Sequence, residues 1–254
     1  MIREAGVRQS AVGRFLVLAG ISLLFGAPTD ASDLGGAAAD PVVVGPERYS
    51  DDVSAFYLGL SGGYGSGGSD RFGLGAPAGT FSIGDLNLSG GFGGVRGGWR
   101  GVLPARGGRD YVYGFEIGYD FVSMDDTVTR EISGTTVRGG SEISDIAAVR
   151  FKNGLTNPSG SVLYFVTLGL VQGDIKTTSS IASSATTTSV ENDDRRTGFS
   201  ASIGAEHQLS ENWSITGELE YVQFQSEVID FGSGISTKST PSYRSLRFGL
   251  NYRF

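Results

Sequence analysis

Apolar and polar residues alternate strictly along several stretches of the chain. The clearest stretch is DYVYGFEIGYDF, residues 110–121, in which every second residue is large and apolar and those between are mostly small or acidic. Successive side chains of a β-strand point to opposite faces of a sheet. This segment therefore predicts a strand with one aromatic, oily face and one small or acidic face.

The same period of two recurs along the chain and predicts eight strands. They span roughly 54–65, 86–99, 110–121, 143–153, 162–173, 195–209, 213–225 and 242–254. The strand over 86–99 is the least regular, because Leu86, Leu88 and Phe92 share a phase that Val95 and Trp99 do not. A glycine bulge near Gly93–Gly94 would explain this slip.

The predicted connections alternate between long and short. The long, polar connections are 66–85, 122–142, 174–194 and 226–241, and the short ones are 100–109, 154–161 and 210–212. Short turns at one end and long loops at the other are the layout of outer-membrane barrels. The pattern thus predicts an all-β fold, an eight-stranded antiparallel transmembrane β-barrel connected as an up-and-down meander.

Composition supports lipid rather than water around this barrel. The chain has 41 glycines, 7 prolines and 11% aromatic residues, and its mean hydropathy is −0.04. A membrane barrel keeps average hydropathy low because only one face of each strand is apolar. Closing the sheet also gives the backbone N–H and C=O groups of every strand hydrogen-bond partners, which lipid cannot supply.

The inward face is predicted to carry charges of both signs. These residues are Glu116, Asp120, Arg150, Lys152, Glu206, Glu218, Glu220, Arg247 and Arg253. An eight-stranded barrel is only wide enough for side chains to fill, and buried charges are tolerable only when paired. We expect Glu116 and Asp120 near Arg150 and Lys152, with Glu218 and Glu220 near Arg247, in a plugged interior.

The N-terminal region predicts export. Residues 1–31 combine a basic stretch, a short apolar run and a small-residue exit, which is typical of a signal peptide cleaved after Ala31 or Ser32. Residues 32–53 are expected to form a periplasmic leader and residues 54–254 the barrel. The whole chain has a net charge of −7, and loss of a signal peptide of net charge +1 leaves about −8. This acidity argues against nucleic acid as a partner.

Candidate chemistry is sparse. The chain has no cysteine and a single histidine, His207, on a predicted outward face. Without a serine–histidine–acid set or a metal-ligand spacing, we expect no enzyme activity, no metal and no cofactor.

Several segments resemble the alphaproteobacterial outer-membrane β-barrel family, whose members are described as porin-like or OmpA-like surface proteins. The segments are AFYLGLSGGYG, YVYGFEIGYDF, AVRFKNGL with VLYFVTLGLVQG, and TGFSASIGAEHQLSENWSITGELEYVQF. The resemblance covers nearly all of residues 54–254 and implies residence in the outer membrane of a Gram-negative cell.

The last segment, LRFGLNYRF, resembles the signal by which the outer-membrane assembly machinery recognises its clients. Its alternate residues are Leu246, Phe248, Leu250, Tyr252 and the terminal Phe254. The resemblance therefore implies the barrel assembly machinery as a partner.

The resulting hypothesis is a structural and surface protein of the cell envelope, surrounded by outer-membrane lipid and lipopolysaccharide. Two alternatives remain at this point. One is a narrow pore for small solutes, and the other is a lipid-modifying enzyme. The pattern leaves the oligomeric state open.

Overall fold

The computed structural model describes residues 54–68, 70–76, 79–132, 134–182, 187–232 and 235–254. They belong to one compact unit, Val44–Phe254. The expected signal peptide and periplasmic leader lie outside the described residues and stay predictions.

Eight antiparallel strands close into a barrel, as the alternation predicts. The barrel strands are β1 (Ser54–Ser66), β4 (Ser89–Pro104), β5 (Asp110–Ile132), β6 (Thr135–Thr156), β7 (Val162–Ala182), β8 (Thr187–Gln208), β9 (Trp213–Phe224) and β12 (Ser242–Arg253). Each strand pairs with its neighbours in the meander, and β1 closes the ring by pairing with β12 from Tyr57↔Arg253 to Ser66↔Arg244. Closure removes the free edges that an open sheet would present.

The two ends of the barrel differ. At one end, here called the turn end, short connections over 105–109, 157–161 and 209–212 join the strands. At the opposite end, here called the loop end, the connections are long. A short 3-10 turn, Arg106–Gly108, lies in the first of the short connections, where Gly107 and Gly108 have positive φ values that favour glycine.

The outward faces form an apolar belt. Phe56, Leu60, Ile117, Leu168 and Leu170 are each more than 60% exposed, although all are large hydrophobic residues. In water such a surface would be a liability, whereas a barrel in lipid requires it. Aromatic side chains cluster at the turn-end border of the belt, where the ring centroids of Trp213 and Tyr252 lie 5.0 Å apart.

The described parts of the long connections are mostly paired strands, where the sequence predicted long polar loops. The β5–β6 ladder continues to Ile132↔Thr135 and the β7–β8 ladder to Ala182↔Thr187, well beyond the apolar belt. The alternation of apolar and polar residues ends at the border of the apolar belt, because both faces of the sheet can be polar outside lipid. Backbone pairing nevertheless continues beyond that border. The abundant threonine and valine of these segments favour strands without marking a face.

The other two long connections form a second, four-stranded sheet. Its strands are β2 (Asp70–Ala76), β3 (Gly79–Leu86), β10 (Glu227–Gly232) and β11 (Ile235–Ser239). Their order is β10-β11-β2-β3, and among the described residues the two hairpins pair through the short β11–β2 ladder, Ser236↔Gly75 and Thr237↔Leu74. Thus a hairpin from each side of the β1–β12 seam contributes to one sheet at the loop end.

The bulge expected near Gly93–Gly94 is absent. The ladders of β4 with β1 and with β5 run unbroken from Ser89 to the turn end. Val95 points outward, whereas Phe92 points into the barrel and Leu88 is buried there. The apparent change of phase arises because the interior near the loop end is itself apolar, so an apolar residue does not mark the lipid face there.

Among the described residues, no helix is both long enough and apolar enough to cross a membrane.

Candidate functional site: a charged layer inside the barrel

The middle of the barrel interior is a layer of paired charges. Eight of the nine predicted charged residues lie in it, each at most 7% exposed: Glu116, Asp120, Arg150, Lys152, Glu206, Glu218, Glu220 and Arg247. They meet because alternate residues of neighbouring strands share the inward face. Arg96 and Arg100 complete the layer. Five cations thus face five carboxylates, so the layer is formally neutral.

Arg247 forms a bidentate contact across the barrel. Its Nη1 and Nη2 atoms donate to Oδ1 and Oδ2 of Asp120, both at 2.8 Å, in the bidentate geometry that favours Arg–carboxylate pairs. Nη2 also donates to Glu220 Oε2 at 3.0 Å. On the far side of Glu220, Arg150 Nη2 donates to Oε1 at 3.1 Å. Two arginines and two carboxylates thereby tie together strands β5, β6, β9 and β12.

Arg96 organises a second cluster. Its Nη1 donates to Glu218 Oε1 at 2.9 Å, its Nε to Asn251 Oδ1 at 3.0 Å, and its Nη2 to Thr216 Oγ1 at 2.5 Å. Glu218 lies opposite Arg247 in the β9–β12 ladder, near it as expected, but its ion pair is with Arg96. Sequence reasoning missed Arg96 because the phase of β4 was uncertain. If Val95 is taken to face lipid, the adjacent Arg96 must face the barrel interior.

Glu116 links the clusters. It lies 3.6 Å from Arg150, 3.8 Å from Arg96 and 3.9 Å from Lys152, measured between charged atoms. The buried Tyr57 hydroxyl donates to Glu116 Oε2 at 2.9 Å. Because several donors share this carboxylate, no single contact fixes its position.

Glu206 anchors the turn-end side of the layer. Arg100 Nη1 lies 3.2 Å and Lys152 Nζ 3.7 Å from its carboxylate oxygens, and the Ser214 hydroxyl donates to Oε1 at 2.7 Å. Its charge is thus compensated by contacts from three other strands.

Arg253 is the predicted charge that the structure does not bring into the layer. It lies at the turn-end rim, only partly buried, and Nη2 donates to the backbone carbonyl of Glu211. The reason is its position at the last residue of β12, beyond the depth at which the interior acids lie.

Apolar layers cover the charged layer on both sides. On the loop-end side, a buried cluster includes Leu88, Met124, Ile143, Ile175 and Phe224. On the turn-end side, a smaller cluster consists of Val102, Val112, Leu163 and Phe165. The sandwich excludes water from the ion pairs, which strengthens them and makes loss of either partner costly.

Aromatic rings form the boundaries of these layers. The guanidinium of Arg247 lies 4.4 Å from the Phe92 ring centroid, and Lys152 Nζ lies 4.3 Å from that of Phe165. Cation–π contacts of this kind stabilise a charge where water is excluded. The layers thus contact each other directly.

The predicted assembly residues lie on the outward face of β12. Leu246, Phe248, Leu250 and Phe254 are exposed to the lipid side, and Tyr252 packs edge-on between the rings of Trp213 and Phe254. Phe254 N donates to the backbone oxygen of Phe56 at 3.0 Å, so the terminal aromatic lies at the seam between β12 and β1.

Other candidate chemistry does not assemble into a site. His207 is exposed on the outward face of β8. Within the part of the chain that the structure describes, no three histidine, cysteine, aspartate or glutamate residues are grouped as metal ligands would be.

Comparison with known proteins agrees with this architecture. A family model described as "Outer membrane protein beta-barrel domain" matches residues 34–254. The 31 kDa outer-membrane immunogenic proteins of Brucella melitensis and Brucella suis are each 24% identical over 171 residues, which cover 67% of this chain and 69% of each relative.

Solved structures of outer-membrane proteins also resemble the chain. The outer membrane protein OprG from Pseudomonas aeruginosa matches with a TM-score of 0.48 and 8% identity, covering 82% of this chain and 99% of that chain. Neisserial surface protein A matches with a TM-score of 0.36 and 10% identity, covering 80% of this chain and 100% of that chain. Since the family match spans most of the sequence, the chain belongs to the outer membrane protein β-barrel domain family and is located in the outer membrane.

Proposed function

We propose that this protein is a closed, non-conducting barrel that anchors a rigid β-sheet surface to the outer membrane. The observation that carries the proposal is the filling of the interior by three consecutive layers, apolar, charged and apolar. A solute pathway would need polar groups lining continuous space, whereas here the inward charges are engaged with one another. The protein's role is then structural and at the cell surface, without enzyme activity.

The extended hairpins supply the displayed surface. Beyond the apolar belt, β5 to β8 form a continuous sheet, with charged pairs on its outer side such as Lys176–Glu191 at 2.8 Å and Arg195–Asp174 at 2.7 Å. Outer-membrane barrels place their longer connections outside the cell. This polar wall would therefore be the part that other molecules meet first.

Electrical recordings test the closed barrel. The refolded protein, its folded state verified by migration on unheated detergent gels, is added to planar bilayers. The expected result is no stepwise current above background. Discrete and reproducible steps from the folded form would overturn the proposal and favour the pore alternative.

Epitope tags test the orientation of the surface. A short tag is inserted at Gly134, in the β5–β6 connection at the loop end, or at Gly107, in the short β4–β5 turn. Antibody should label the Gly134 tag on intact cells and the Gly107 tag only after the outer membrane is permeabilised. Labelling in the opposite order would contradict the proposed display.

Assembly and lipid contacts complete the proposal. The outward face of β12, from Leu246 to Phe254, would be recognised by the barrel assembly machinery. The apolar belt would be covered by outer-membrane lipid, including lipopolysaccharide.

A further inference from the structure

A groove of about 680 Å³ crosses the lipid-facing wall near the loop end. The outward side chains that line it come from β1, β8, β9 and β12, and they are mainly apolar or aromatic: Tyr64, Ala201, Ile203, Leu219, Tyr221 and Leu246. All belong to the outer surface, on the opposite side of the wall from the charged layer. The groove is therefore open to lipid and separate from the interior.

The floor of the groove is set by strand register. Ser66, Arg244, Tyr221 and Ala201 are consecutive partners across four strands. Ala201 and Ser66 are the short members at the two ends of this row, and Ala201 follows Phe199 on the same outward face of β8. The missing side-chain volume at Ala201 leaves a furrow between taller neighbours.

Arg244 gives the groove a charged end. It lines the groove, it is exposed, and it lies at the loop-end border, where β12 leaves the apolar belt. Two other outward cations beyond the belt are paired with acids, Arg195 with Asp174 and Lys176 with Glu191. Within the described residues, Arg244 has no carboxylate within ion-pair distance.

An apolar furrow that ends at an exposed guanidinium matches the polarity of a lipid molecule lying along the wall, with an apolar tail and an anionic headgroup. In such a pose, hydrocarbon would fill the furrow between Leu219 and Ile203, and an anionic headgroup would reach Arg244. The Tyr64 and Tyr221 rings would then lie at the headgroup boundary, where aromatic rings are stable. Arginine suits a phosphate because its guanidinium can donate two parallel hydrogen bonds.

We propose that this groove is a preferred site for an anionic, phosphate-bearing lipid of the leaflet at the loop end. One acyl chain occupies the furrow, and the headgroup phosphate binds Arg244. The occupant is a membrane lipid and not a free phosphate ion, since the guanidinium alone, on an open surface, has nothing else to hold an ion. The inference goes beyond the closed-barrel function, because a conducting barrel could carry the same site.

Native mass spectrometry of the full-length folded protein tests the site. The protein is released from micelles doped with phosphatidylglycerol or phosphatidylcholine of identical acyl chains, or with inorganic phosphate alone. We expect adducts of phosphatidylglycerol in preference to phosphatidylcholine and none of phosphate. Arg244→Gln should reduce the phosphatidylglycerol adducts about fivefold, the effect of one basic side chain at an anionic surface.

A second variant removes the furrow and keeps the charge. Ala201→Phe should also reduce the phosphatidylglycerol adducts, because its ring fills the floor of the groove. Arg138→Gln removes an exposed arginine of the polar wall, and Ala147→Phe enlarges an exposed alanine on β6. These two controls should leave the adducts unchanged.

The proposal fails if Arg244→Gln and Ala201→Phe retain the adducts of the parent, or if Arg138→Gln lowers them as much as Arg244→Gln. Equal retention of the two lipids by the parent, or adducts of inorganic phosphate lost in Arg244→Gln, would equally overturn it. All four substitutions lie on outward faces, so they leave the interior layers intact.

Discussion

Arg247 of the last barrel strand reaches across the interior and binds both carboxylate oxygens of Asp120 on β5, at 2.8 Å each. The two residues are 127 positions apart in sequence. Their strands are not neighbours in the ring, because β1 and β4 separate them on one side and four strands do so on the other. The contact therefore braces the wall across the barrel rather than along it.

Loss of Arg247 should be costly. Arg247→Ala leaves Asp120 and Glu220 buried with too little positive charge, and breaking a buried pair in this way costs about 3–5 kcal/mol. We expect a fall of that size in the free energy of unfolding, measured by urea titration of the protein in lipid vesicles. Arg138→Ala, at an exposed arginine of the polar wall on β6, is the control, since its side chain lies outside; it should change stability by less than about 0.5 kcal/mol.

Inward and outward glycines should respond differently to enlargement. A side chain at Gly249 would collide with the Arg96 guanidinium and with Thr216, whereas the Cβ of a residue at Gly217 would have Phe248 as its nearest contact, at 3.8 Å. Gly249→Val should lower the free energy of unfolding by about 1–3 kcal/mol through overpacking. Gly217→Val should be nearly neutral. Equal losses in the same urea titration would contradict the assignment of the two faces.

The pKa of Asp174, in the polar wall beyond the belt, should be lowered. A hydrogen bond from Arg195 stabilises the charged carboxylate and lowers its pKa from the ordinary 3.8. For an acid with a lowered folded pKa, the stabilisation is present above the unfolded pKa and is lost as pH falls through the folded pKa. Carboxyl NMR titration should show a midpoint below 3.8 that returns toward 3.8 in Arg195→Gln. An unchanged midpoint in that variant would show that the ion pair does not form.

Substitution of Phe254 can distinguish recognition by the assembly machinery from stability of the folded barrel. In cells, Phe254→Ala should lower the amount of folded protein in the outer membrane if the terminal aromatic is read by the assembly machinery. Refolding of the purified variant into vesicles should proceed at nearly the parental yield, since the ring is 68% exposed. A loss of refolding that equals the loss in cells would assign the residue to the barrel itself.

The fold could be predicted from the sequence because lipid imposes a simple rule. Residues such as Ile117 and Leu168 alternate with inward residues, and this predicts the eight barrel strands and, for most of them, which face is outward. The strand ends were wrong at the loop end, since beyond Phe121 and Leu170 the surroundings are polar on both sides. The backbone there remains paired, but hydrophobicity no longer distinguishes the inward from the outward side chains.

The partners within the charged layer could be predicted only for neighbouring strands. The approach of Arg150 to Glu116 follows from the pairing of β5 with β6, where the two residues are opposite each other. The contact of Arg247 with Asp120 depends on the tilt and diameter of the closed ring, which no local pattern encodes. Phe92 was misjudged for a related reason, because an apolar interior layer has the same residue types as the lipid face.

The seam between β1 and β12 has a consequence for how the molecule assembles. Asp120 belongs to a strand near the middle of the chain, and its main counter-charge arrives only with the final strand. An incomplete ring therefore leaves the buried Asp120 with only the more distant Arg150, 3.7 Å away, as counter-charge, and leaves two unpaired edges at its wall. Partial barrels are therefore disfavoured both in the interior and at the strand edges. The contact between Arg247 and Asp120 thus favours the completely closed barrel over incomplete forms.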